Sequence, residues 1–132
     1  MPRKTDTQNP ADWLFICESD LEGIALCAQN EISFDLCHSK IAEVLEKLMK
    51  AELVRLGWFL EKTHDLRKLA AHLAARDSDL LPEVLPLCQA LAEAYFTSRY
   101  VGFDLEDPDW PVLRAQLAAI TALAATIRAR LG

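Results

Sequence analysis

The chain has 132 residues, enough for one domain and too few for a second core of useful size. Apolar residues make up 52%, charged residues 26%, and glycine and proline are sparse, which excludes a disordered tail, a collagen-like repeat and a glycine-rich β-protein. With 14 Lys and Arg against 20 Asp and Glu the net charge is -6, the wrong sign for a protein that grips duplex nucleic acid through its phosphates. The first 66 residues hold 7 basic and 12 acidic side chains and the last 66 hold 7 and 8, so an anionic ligand is better sought in the second half.

Residues 1–9 are polar and are expected to be loose, with residues 10–132 forming a single domain. Asn9-Pro10-Ala11-Asp12 reads as a helix start: an N-cap, a proline at the first helical position and an acid in the first turn. Trp13, Cys17, Leu21, Ile24 and Ala28 then recur at the three- and four-residue spacing of one helix face. Ser33 is the expected cap of a second helix running to Gly57. Its apolar stripe takes Leu36 or Cys37, then Ile41, Leu45, Leu48 and Met49, while Lys40, Glu43, Glu46, Lys47 and Lys50 lie off it. Gly57 stands where a C′ glycine ends a helix.

After a connection over Trp58–His64, Asp65 is placed to start a third helix whose Leu66, Leu69, Ala70 and Leu73 fit the helical template. Residues 78–82 read as a break, followed by a fourth helix with Val84, Leu87, Cys88, Leu91 and Tyr95 on its stripe. Pro86 lacks the N–H for a turn bond, which places the regular helix after it. The acidic stretch 104–109 reads as a turn and helix-start signal, without the ligand spacing of a calcium loop. A last helix carries Val112, Leu113, Leu117, Ile120, Leu123, Ile127 and Leu131, with Arg128 and Arg130 at its negative end. No segment sustains a strand-like alternation. The expected fold is all-α, an antiparallel four- to five-helix up-and-down bundle.

Four cysteines at 17, 27, 37 and 88 form no C-x-x-C pair and no metal-ligand spacing, so no metal and no cofactor are expected. Reduced core cysteines point to a cytoplasmic protein. Arg3 and Lys4 are followed by no apolar run, hence no signal peptide, and the longest apolar run (residues 117–127) is too short to span a bilayer.

The order of local signals resembles the HEPN domain family of small helical bundles. The resemblance rests on Trp13 and Asp20-Leu21 in one helix, and on Glu46-Lys47-Leu48-Met49-Lys50-Ala51 in a long second one. It continues through His64-Asp65-Leu66 with Leu69, and through Tyr95 followed by Arg99-Tyr100, spanning residues 10–104. It implies a helical binding module that dimerises, is partnered with a nucleotidyltransferase in a toxin–antitoxin-like pair, and can hold a nucleotide or RNA. Catalytic members of the family cleave RNA without metal through an R-x(4–6)-H motif. After Arg99 this chain reads Tyr-Val-Gly-Phe-Asp-Leu, without histidine; Ala42-Glu43 replaces a frequent glutamine pair and Val101 a frequent proline. Arg67 and His72 match the motif by letters, yet five residues along a helix is about 140° of rotation, so the two side chains diverge.

Several residue types can carry ligand or proton chemistry. His64 carries an imidazole that could handle a proton; Arg99 could grip a phosphate and Tyr100 stack on a base. The candidate ligand-binding residues are therefore Lys50, His64, Arg99 and Tyr100, and a ribonuclease reading assigns Arg99 and His64 as the catalytic pair. Against these stand structural roles: a helix-end cap at His64, an ion pair at Arg99, and a solvated Glu43–Lys47, Glu46–Lys50 face on the second helix. Trp13, Trp58 and Phe59 are expected as core or interface anchors.

Overall fold

Asn9 opens the first helix as expected: its side-chain oxygen accepts the Ala11 N–H at 3.1 Å, and Pro10 fills the first turn. The computed structural model describes residues 7–92 and 107–131. Among these the elements are five helices and no strand: α1 (Pro10–Asn30), α2 (Phe34–Arg55), α3 (Leu66–Ala75), α4 (Leu81–Leu91) and α5 (Trp110–Leu131). The all-α class therefore holds. Tyr95, Arg99, Tyr100 and residues 104–106 lie outside the described residues.

Cross-links between the helices fix their directions. Cys17 Sγ, in the first half of α1, meets the Val44 carbonyl of α2, whereas Cys27 near the end of α1 adjoins Cys37 near the start of α2, so later residues of α2 meet earlier residues of α1. The two helices are antiparallel. Arg114, near the start of α5, pairs with Glu31 and donates to the Ala28 carbonyl at the end of α1, while Arg128 pairs with Glu18 near its beginning. Thus α1 is antiparallel to α5 as well. Arg128 was expected to serve its own helix end; it also ties α5 to α1.

The apolar stripes face one core, apart from Val112 at the start of α5, which is exposed. Trp13, Cys17, Leu21, Ile24 and Ala28 of α1 are buried, as are Leu66, Leu69, Ala70 and Leu73 of α3, and Val84, Leu87, Cys88 and Leu91 of α4. Full burial of a side chain of the leucine class contributes about 1.5–3 kcal/mol, so these stripes hold the bundle together. The α2 helix behaves differently. From Leu48 to Val54 every residue is buried, polar ones included, because the other helices surround it. The expected solvated face on α2 is therefore corrected: Glu46 and Lys50 point into the bundle, and Glu43 pairs with Lys40 rather than Lys47.

Helix ends follow identifiable rules. At the end of α2 the Gly57 N–H reaches the Val54 carbonyl and the Trp58 N–H the Leu53 carbonyl, with Gly57 at φ 94°: a Schellman motif. Trp58 and Leu53, the apolar pair that accompanies such a motif, are both buried. Asp65 caps α3, accepting the N–H groups of Arg67 and Lys68. Ser33 holds the expected cap position for α2, but in a left-handed conformation (φ 56°) and with no side-chain cap bond; its carbonyl still accepts the Cys37 N–H.

Further expectations need correction. The α4 helix starts at Leu81 and runs through Pro86. The bond Pro86 cannot make would go to the carbonyl of Pro82 in the first turn, where both residues are exposed and water can replace it. Thr7 and Gln8, in the segment expected to be loose, are held: the Gln8 side chain bonds the Trp58 carbonyl and the Leu60 N–H, and Trp13 donates to the Thr7 carbonyl. Phe59 is 81% exposed, unlike the buried Trp13 and Trp58. Finally, the run 117–127 understates α5, whose whole length is long and apolar enough to cross a membrane by composition. In the bundle its Leu113, Ile120, Leu123 and Ile127 side chains are buried.

Candidate functional site

Two of the candidate residues, Lys50 and His64, meet through a third that the sequence reading left on the surface. Lys50 Nζ lies 3.0 Å from Glu46 Oε2, one helical turn away on α2. From the connection ahead of α3, the His64 ring brings Nδ1 to 3.0 Å from Glu46 Oε1 and 3.3 Å from Oε2. Asp65 fixes this entry into α3 by capping it, and so sets where His64 stands. Trp13 covers the other side of the cation, its ring centroid 5.5 Å from Lys50 Nζ.

The three groups sit in different environments. Glu46 and Lys50 are 5% and 4% exposed, whereas the His64 side chain is 57% exposed. A buried carboxylate thus links a buried ammonium to a surface imidazole. Removing two charges from water costs several kcal/mol per ion, and the pair survives because each charge has the other within hydrogen-bond distance. Glu46 accepting at Nδ1 selects the His64 tautomer whose lone pair is on Nε2, the arrangement a carboxylate imposes on a proton-handling histidine. The Lys50 charge faces Glu46 and Trp13 inside the bundle, so its ammonium is not presented to a ligand at the surface. Arg99 and Tyr100, the remaining candidates, lie outside the described residues.

The letter match Arg67–His72 does not assemble into a site. Arg67 is exposed on α3, while the His72 ring packs 5.5 Å from the Trp58 ring, with Nε2 buried and 3.8 Å from Glu61. A second buried carboxylate, Glu52, was missed altogether. It is 1% exposed and takes Arg55 through both oxygens, at 2.6 and 2.9 Å, together with Arg130 of α5 at 2.5 Å. Arg130 also donates to Asp79 at 2.6 Å, joining α2, α5 and the turn before α4. Two charged guanidinium groups on one carboxylate identify this cluster as a structural clamp. A readable signal existed for both carboxylates. Val44, Leu45, Leu48, Met49, Ala51, Leu53 and Val54 surround the helix axis, so polar residues interspersed among them must be buried too.

Among the described residues no group of three or more His, Cys, Asp and Glu could hold a metal ion. The HEPN domain model matches residues 10–127, nearly the whole chain, in agreement with the helical bundle. The chain belongs to the HEPN domain family. No curated protein and no solved structure matches it.

Proposed function

We propose that this HEPN domain is a cytoplasmic, non-catalytic binding module that forms a homodimer and pairs with a nucleotidyltransferase in a toxin–antitoxin-like system. The observation that carries this reading is the uncovered face of α5. Ala115, Ala118, Ala122, Ala125 and Ala129 are all exposed on the side away from the core, and only 28% of the helix's most apolar window is buried. Small side chains let a second helix approach closely, and 22 residues give a contact about 33 Å long. The acidic net charge and the internal pairing of Lys50 favour a protein surface over a polyanion as the main partner. Light scattering after size exclusion should give twice the chain mass, and co-expression should retain a nucleotidyltransferase encoded beside it. A strict monomer at high concentration refutes the dimer, and failure to retain that enzyme refutes the pairing.

A second reading, a metal-independent ribonuclease using His64 and Arg99, is favoured by one observation: Glu46 holds the His64 ring by Nδ1. In that reaction His64 would take the ribose 2′-OH proton, and Arg99 would steady the negative phosphorane. RNA incubated with the protein in EDTA decides it. Cleavage lost in His64→Ala and Arg99→Ala supports the enzyme, and wild-type cleavage no greater than that of the variants refutes it.

A further inference from the structure

The turn between α1 and α2 places two thiols on one groove. The groove, about 230 Å³ in volume, is walled by Gly23, Ile24 and Cys27 of α1 and by Leu36 and Cys37 of α2, among others. Gly23 borders open space, since a Cβ there would meet no atom within 4 Å. Ile32 binds to both cysteines: its N–H donates to the Cys27 carbonyl at 3.1 Å, and its carbonyl accepts from Cys37 Sγ at 3.9 Å. Both thiols are free; Cys37 is buried and Cys27 half-buried. Burial pushes the Cys37 thiol up to about 11, and the charge and hydrogen bond of the adjacent Cys27 thiol add to the rise. The other cysteines face elsewhere in the core, Cys17 toward the Val44 carbonyl and Cys88 toward Met49 Sδ.

We propose that Cys27 and Cys37 are a reversible dithiol–disulfide pair, oxidised by low-molecular-weight disulfides of the glutathione class, that locks the α1–α2 turn. Cys27, the more accessible thiol, attacks one sulfur of the oxidant as its thiolate, forming a mixed disulfide and releasing the first glutathione. Cys37 then loses its proton and attacks Cys27 Sγ, expelling the second glutathione. Two protein thiols and one glutathione disulfide become one protein disulfide and two glutathione thiols, so atoms and electrons balance. The bridge would span the groove wall and hold Leu36 and Gly23 in fixed relation.

The full chain, equilibrated without oxygen in glutathione buffers of rising disulfide fraction, is quenched in acid, alkylated while denatured and weighed intact. Cleavage after Glu22, Glu31 and Glu43 separates Cys27 in residues 23–31 from Cys37 in 32–43. The expected result is loss of two hydrogens, two alkylated thiols instead of four, and a cross-link between those two peptides that dithiothreitol reverses. Cys37→Ser should stop at a glutathione adduct on Cys27, and Cys27→Ser should leave Cys37 reduced. Four alkylated thiols in the most oxidising buffer overturn the proposal. So does a wild-type chain arrested at the mixed disulfide, or a bridge involving Cys17 or Cys88. The wild-type cross-link decides the matter without either variant.

Discussion

Lys50 and Glu46 form an ion pair inside the bundle, 3.0 Å apart on successive turns of α2, with His64 on the outer side of the carboxylate and the Trp13 ring over the ammonium. The pair faces inward because its helix is enclosed by the others, and each charge depends on the other for its solvation.

Removing one member should therefore cost much more than removing both. Glu46→Ala leaves the Lys50 ammonium buried beside an apolar gap and is expected to destabilise the fold by about 3–5 kcal/mol. The double replacement Glu46→Leu with Lys50→Met leaves no orphaned charge and should recover most of that loss. Urea unfolding of wild type, both single variants and the double variant checks this; equal losses in all three variants would contradict the coupling.

Gly57 sits at φ 94° at the end of α2, and a Cβ there would meet nothing within 4 Å. Any penalty for Gly57→Ala is thus conformational rather than steric. A left-handed alanine costs about 1–2 kcal/mol, and this loss should appear in denaturant midpoint with the unfolding slope unchanged.

Asp79 is an exposed carboxylate whose hydrogen bond to Arg130 holds its pKa below the usual carboxylate range. A folded-state pKa below the unfolded value means stability that is present above about pH 4 and lost as pH falls through the folded value. Wild type should be more stable than Asp79→Asn near neutrality, and the two curves should converge on acidification. Thermal melts taken from about pH 7 to about pH 2.5 measure the convergence.

The outward face of α5 separates folding from association. Ala122 is exposed opposite the buried Ile120, Leu123 and Ile127, so Ala122→Glu should change unfolding free energy by no more than about 0.5 kcal/mol. The same substitution places two charges within any close α5–α5 contact and should shift the dimer to monomer by light scattering. A variant that remains dimeric would move the interface away from this helix.

Much of the fold was legible because local patterns and tertiary demands agree. The stripes of α1 and α3 are buried residue for residue, as are the members of the α4 stripe among the described residues, Asn9 and Asp65 cap where their side chains predict, and Gly57 ends α2. The readings that failed concern residues whose local signal is ambiguous. Ser33 has a capping side chain, but its left-handed backbone leaves that side chain without a cap bond. Pro86 signals a break, yet α4 runs through it, and the carbonyl it leaves unpaired, that of Pro82, lies at the exposed start of the helix. Glu43, Glu46, Lys47 and Lys50 have the spacing of a solvated ion-pair face, and spacing alone contains no information about how many neighbours a helix will have.

The sequence by itself determined the helices, their apolar stripes and the family, since periodicity, caps and motif order are properties of the chain read a few residues at a time. Tertiary structure alone decided which helices enclose α2 and from which sides. That one fact turned a surface salt bridge into a buried pair, gave Glu46 to His64, and gave Glu52 to Arg55 and Arg130. The physical reason is that the environment of a charge is set by everything packed around it. Those neighbours come from helices that lie far apart in the chain.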